Sequence, residues 1–95
     1  MADYQLSPLA ERDLEDIWRY TYQQWSEGQA NSYFDVIIAA IKQLASGASK
    51  GRAVDIQGGY LKHAAGKHCV FYKETDTSIE VIRILHQSMD FDRHL

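Results

Sequence analysis

The closing stretch IEVIRILHQSMDFDRHL, Ile79 to Leu95, decides the fold. Its first part, Ile79-Glu80-Val81-Ile82-Arg83-Ile84-Leu85, is rich in β-branched residues and too short for a core helix, so it reads as a buried strand. Strict alternation places Ile79, Val81 and Leu85 on one face, interrupted by Arg83, and Ile82 and Ile84 on the other. A strand apolar on both faces belongs inside a sheet, away from its edges. A polar tail with three apolar residues, Met89, Phe91 and Leu95, leaves from its end. The function is therefore expected at this strand end and tail.

Working outward, Thr75-Asp76-Thr77 and Ala65-Gly66-Lys67 are hairpin-length connections. They join strands expected at Ile79 to His86, His68 to Glu74 and Tyr60 to His63. Gly58-Gly59 is a turn, and Ser46 to Gly51 a loop of small and polar residues. Upstream, Ala30, Tyr33, Phe34, Ile37, Ile38, Ile41, Leu44 and Ala45 recur at helical spacing and predict a helix from about Gln29 to Ala45. Val36 and Ala40 fall outside that stripe and widen it toward a partner-binding patch. Ser26-Glu27-Gly28 is a tight break. Before it, Ala10, Leu14, Ile17, Trp18, Thr21 and Trp25 predict a second amphipathic helix, Pro8 to Trp25. Ser7 caps it, Pro8 takes the first helical position, and Glu11, Asp13, Glu15 and Asp16 load its early turns. Tyr4-Gln5-Leu6 is a short first strand, free to pair on either side of the meander. The order β-α-α-β-β-β predicts one α+β domain, residues 1–95, with a helical hairpin on a mainly antiparallel sheet.

Ninety-five residues, 45% hydrophobic and 12% aromatic, suffice for one folded domain with a modest core. No apolar run approaches a membrane span and no secretory leader opens the chain, so a soluble, cytoplasmic protein is expected. Cys69 is the single cysteine, expected as a buried small hydrophobe. The net charge of −3 argues against a surface that grips nucleic acid as a whole. The four histidines, however, all lie in the C-terminal third, with Lys62, Lys67, Lys73, Arg83 and Arg93, which leaves room for a locally basic face.

Two chemical constellations emerge from residue types. His63, His68 and Cys69 lie near one turn but match no zinc spacing and lack a fourth ligand, so neither metal nor cofactor is expected. His68, Arg83 and His86 could meet across paired strands and supply the base, acid and phosphate-binding cation of a metal-independent ribonuclease. Arg83 would otherwise pair with a carboxylate, and His86 would be a solvated strand-end residue.

Four segments carry a resemblance that spans essentially the whole chain. They are YQLSPLAERDLEDIWRYTYQQW, the second helix, GRAVDIQGGYLKHAAGKHCVFY and IEVIRILHQSMDFDRHL. The most specific parts are Arg83 to His86 followed by Met89-Asp90 and Arg93-His94-Leu95, and the pattern Gly59, Tyr60, His68, Phe71, Tyr72. The chain resembles ParE toxins of the RelE/ParE superfamily. That resemblance implies a toxin of a type II toxin–antitoxin system, acting on DNA gyrase by protein contact, with no catalysis, and neutralised by a ParD-type antitoxin. Given that resemblance, gyrase contacts are expected at Arg83, His86, Met89 and Arg93, on the charged tail at the end of the central strand, and antitoxin contacts at the sheet edge and at apolar residues outside the core stripe, including Tyr20 and Val36. The RelE relatives imply the alternative of ribosome-dependent mRNA cleavage. At Ser88 the family often has an arginine, which implies a weaker grip of the tail.

Overall fold

The computed structural model describes residues 4–54 and 58–88. In chain order it has β1 (Tyr4–Leu6), α1 (Pro8–Gln24), α2 (Glu27–Ser46), β2 (Arg52–Ala53), β3 (Tyr60–Ala65), β4 (His68–Glu74) and β5 (Ile79–His86). The sheet order is β1-β5-β4-β3-β2, with β1 parallel to β5 and the other neighbours antiparallel. The expected α+β architecture is present, and β5 is an interior strand. The open question of β1 is answered by its pairing beside β5, Tyr4 with Ile79 and Leu6 with Val81.

Both helices start on serine. Ser7 Oγ accepts from Ala10 N–H at 3.0 Å, and Ser26 Oγ from Gln29 N–H at 3.1 Å. Each satisfies an amide that has no partner inside its helix. The break between the helices is thus shorter than expected: Glu27 and Gly28 already belong to α2. Gly47 ends α2 in the left-handed region at φ 84°, its N–H returning to Leu44 C=O.

The main core lies between the hairpin and one sheet face. Ala10, Leu14, Ile37, Ile41 and Leu44 from the helices meet Val70, Tyr72, Ile79, Val81 and Ile84 from the strands. Three expected core residues lie elsewhere. Trp25 is 75% exposed because the chain leaves helical geometry there, at φ −131° and ψ −88°. Phe34 is 36% exposed, lining a groove with Leu14 and Trp18. Trp18 is half-buried, stacked on Tyr22 and donating its indole N–H to Asn31 at 2.9 Å. Ala40, expected outside the stripe, is half-buried against the core.

Alternation in β5 also breaks. Phe71 pairs with Arg83 and Tyr72 with Val81, so Ile82 is an extra residue, a bulge. The bulge reverses the facing of the residues beyond it. Ile84 joins Ile79 and Val81 in the main core, while Leu85 packs with Phe71 in a second cluster, against Val54, Tyr60 and Cys69. That is the opposite of the expected assignment for Ile84 and Leu85. Cys69 is half-buried at that second cluster, where full burial was expected.

Candidate functional site

β1 is only three residues long, so β5 continues past it with one edge unpaired by any strand. The start of α1 covers that edge. Ser7 N–H donates to Val81 C=O at 2.9 Å, and its hydroxyl donates to Ile82 C=O at 2.6 Å. Asp13, further along α1, accepts Ile84 N–H at 2.9 Å. The same carboxylate takes Arg83 in a two-pronged pair: Nε donates to Oδ2 at 2.8 Å and Nη2 to Oδ1 at 2.9 Å. The two side chains are only 14% and 12% exposed. The hydrogen bonds to Asp13 raise the Arg83 pKa, burial opposing them, so the cation is fixed. Arg83 therefore has the carboxylate partner that a strand arginine calls for, and the carboxylate comes from 70 positions away.

At the end of β5 the expected meeting of histidines takes place. His68 and His86 are register partners on β4 and β5, with ring centroids 5.3 Å apart and planes at 80°. Tyr33 of α2 reaches the same point. Its hydroxyl accepts Lys67 N–H at 2.9 Å and lies 2.6 Å from His68 Nδ1, against 3.5 Å from Ala65 C=O. The phenol proton therefore goes to Nδ1, and neutral His68 carries its own proton on Nε2. At His86, Nδ1 accepts Ser88 N–H at 3.2 Å and meets Ser88 Oγ at 2.8 Å, which again leaves the proton on Nε2. Burial holds the His68 pKa below its usual value; His86 lowers it further, and Asp13 acts in the opposite sense.

These rings line a cavity of about 700 Å³ with Asp16, Tyr20, Trp25 and Tyr33. Gly66 turns β3 into β4 there at φ 61°, and a Cβ on it would come within 2.7 Å of the Tyr33 ring. Only glycine meets both conditions. A second cavity, about 770 Å³, runs between the two helices, with Leu6, Leu14, Trp18 and Phe34 flanked by Glu11, Glu15 and Asp35.

The candidate contact residues thus fall apart in space. Arg83 is at the α1–β5 seam, and exposed His86 is at the strand end. Tyr20, 64% exposed, lines the histidine cavity; Val36, 49% exposed, lines neither cavity. Met89 and Arg93, with the rest of the tail, lie outside the described residues. Sequence reasoning misses Asp13 as Arg83's partner and Tyr33 as a polar group, since in sequence Asp13 reads as a dipole charge and Tyr33 as part of an apolar stripe. Among the described residues no three His, Cys, Asp or Glu side chains cluster as a metal set requires, and no helix there is long and apolar enough to cross a membrane.

The family model for the ParE toxin of the type II toxin–antitoxin system, parDE, matches residues 4–91. The chain belongs to the ParE toxin family. Relatives of this ParE chain named "Toxin ParE1" are 46% identical over 94 residues in Mycobacterium tuberculosis strain H37Rv, covering 97% of this chain and 96% of the relative. In Caulobacter vibrioides the figure is 40% over 96 residues, covering 100% and 99%. Among solved structures, the chromosomal ParDE TA system from P. aeruginosa has a TM-score of 0.77 at 17% identity, covering 90% of this chain and 96% of that one. The YoeB dimer from Staphylococcus aureus has a TM-score of 0.61 at 17% identity, covering 90% and 97%. This ParE-family chain is the toxin component of a type II system, and it shares its fold with the YoeB chain.

Proposed function

We propose that this ParE-family toxin inhibits DNA gyrase in the cytoplasm by protein contact, without catalysis, and is neutralised by a ParD-type antitoxin. Family membership over nearly the whole chain carries the proposal. The contact surface is the end of β5 and the tail: Arg83, His86, Met89 and Arg93. Arg83 contributes by fixing the strand end on α1 through Asp13, and His86 is the exposed side chain presented there. Both histidine Nδ1 atoms are already acceptors, which supports contact over acid–base chemistry at neutral pH.

The antitoxin lies on the hairpin. Its groove has an apolar lining of Leu14, Trp18 and Phe34, and among the described residues of its walls the carboxylates of Glu11, Glu15 and Asp35 outnumber the one cation, Arg19. That suits an amphipathic segment with apolar anchors and basic flanks. A segment that wraps the hairpin touches Tyr20 and Val36 as well.

The meeting of His68 and His86 favours one second reading, RNA cleavage of the RelE kind. A paired assay separates them: gyrase supercoiling and DNA cleavage beside mRNA cleavage on programmed ribosomes. Contact inhibition requires gyrase poisoning with intact mRNA, and a graded loss in His86→Gln because most truncated contacts cost little. Removing residues 91–95 costs more inhibition than His86→Gln while antitoxin affinity is kept. Cleaved mRNA with untouched gyrase overturns the proposal. So does a loss of roughly 10²-fold or more in His86→Gln, the size expected of a general acid or base.

A further inference from the structure

The far edge of the sheet carries a second charged feature. β2 and β3 pair so that Arg52 lies directly across from Lys62. Like charges directly opposed on neighbouring strands are destabilising. Among the described residues the two ion pairs join Arg19 to Asp16 and Arg83 to Asp13, so neither Arg52 nor Lys62 has a carboxylate at ion-pair distance there. Lys50 and His63 complete the basic lining of a notch of about 420 Å³, with no Asp or Glu among the described residues of its walls.

The arrangement is held in place. Gly51, between Lys50 and Arg52, donates its N–H to the hydroxyl of buried Tyr72 at 2.7 Å. A Cβ at Gly51 would collide with the Lys62 carbonyl and come within 2.9 Å of that hydroxyl. The segment bearing two of the cations is therefore clamped by its backbone onto the strand bearing the third. Three formal positive charges gathered around one notch, on a chain of net charge −3, call for an anion.

We propose that this notch binds a phosphate group. Arg52 and Lys62 hold the same anion, and Lys50 lies beside it. A phosphate offers more oxygens than a carboxylate to donors arriving from several directions, and the planar guanidinium of Arg52 matches two of them. The anion relieves the repulsion between the paired cations. Inorganic phosphate and the phosphodiester backbone of a nucleic acid share this chemistry. The proposal rests on the notch alone and is independent of the action on gyrase.

The test is a backbone-amide NMR titration of the full chain at low salt. Three ligands are compared: inorganic phosphate, a short DNA duplex and a poly-glutamate peptide. Phosphate and duplex are expected to shift the amides of Gly51, Arg52 and Lys62. Duplex binding at least about ten-fold tighter than phosphate, weakening with salt in proportion to the two or three phosphates contacted, assigns the source to nucleic acid. Equal affinity assigns it to free phosphate. Lys62→Glu is expected to lose at least about ten-fold in affinity and to melt at a higher temperature, because it turns a repulsive cross-strand pair into an attractive one. Arg52→Gln, which leaves β3 untouched, loses affinity without a fall in melting temperature. The proposal is overturned if neither phosphate ligand shifts these amides, if poly-glutamate binds as tightly as the duplex, or if both variants bind like the parent.

Discussion

Asp13 accepts three hydrogen bonds, two from Arg83 and one from the Ile84 amide. Removing it takes the carboxylate away from a mostly buried cation and the acceptor away from a strand-edge N–H together. Breaking a buried pair from one side costs about 3–5 kcal/mol. The modest remaining exposure of this pair puts Asp13→Ala near the lower figure, about 3 kcal/mol. Urea unfolding measures it. Replacing Arg83 by Met in the same chain should restore only part, since the Ile84 amide still lacks its acceptor. A fall in gyrase inhibition in any Arg83 variant must therefore be read beside its unfolding curve. His68 supplies a pH dependence. Its folded pKa is lowered, chiefly by burial and then by His86, so the unfolded chain takes up the proton first as pH falls. The stability contributed by neutral His68 is complete above the unfolded value of 6.5 and is lost as the pH drops from there through the folded pKa. Unfolding free energies measured at about pH 7.5 and about pH 5 should decrease in that order. His68→Gln should flatten the dependence, and His86→Gln should weaken it without removing it, since burial remains.

At the scale of elements, the helical hairpin carries the main core. Ile37 has no exposed surface and sits at the centre of its inward stripe. Ile37→Asp places an unpaired charge there, at a cost of several kcal/mol against a total near 5–15 kcal/mol. Loss of the cooperative melt is expected, and a melt near the parent's temperature would refute the assignment. Both helices were legible because their stripes run for several turns, and Ser7 marked the start of α1; Ser26 read as part of the break, so its cap and the first turn of α2 were missed. β5 was legible from its β-branched run, and β3 and β4 from the hairpin-length connections that bound them, although β3 runs on to Ala65, two residues past its expected end. β2 was not, because two exposed residues between loops carry no period. The bulge at Ile82 was not either: alternation cannot signal its own interruption, and the reversal of Ile84 and Leu85 comes from the register with β4 alone. Trp25 and Phe34 kept helical spacing, but Trp25 falls where the chain has left helical geometry and Phe34 opens onto the groove beside Trp18, and spacing reports neither. The Asp13–Arg83 pair joins positions far apart in sequence, so neither residue announces the other. The meeting of His68 with His86 was legible from the hairpin that pairs their strands.

On the scale of the molecule, one mixed sheet divides the protein into two unequal apolar layers. The hairpin side holds the main core, and the opposite side holds the smaller cluster around Phe71 and Leu85. The charged features sit at separate places: the acidic groove between the helices, the histidine cavity at the end of β5, and the basic notch at β2. Among the described residues, no lining residue is shared between any two of the three. The parallel seam of β1 with β5 has a different bearing, on the order in which the chain folds. The hairpin and the β3–β4–β5 meander close over short stretches, whereas Ser7 and Ile82 are 75 positions apart. Long closures are entropically slow and tend to form after local ones. The seam should therefore zip up after the rate-limiting barrier, with the first strand arriving on an almost finished sheet. Ser7→Ala, which removes both a helix cap and the hydroxyl on Ile82, should lose about 1–2 kcal/mol. Stopped-flow kinetics should show that loss almost entirely as faster unfolding, with the refolding rate nearly unchanged. Slower refolding would place the seam inside the nucleus. If the seam closes last, it is also the first part of the toxin to open, and the lifetime of the native state is set at the point where α1 clasps β5.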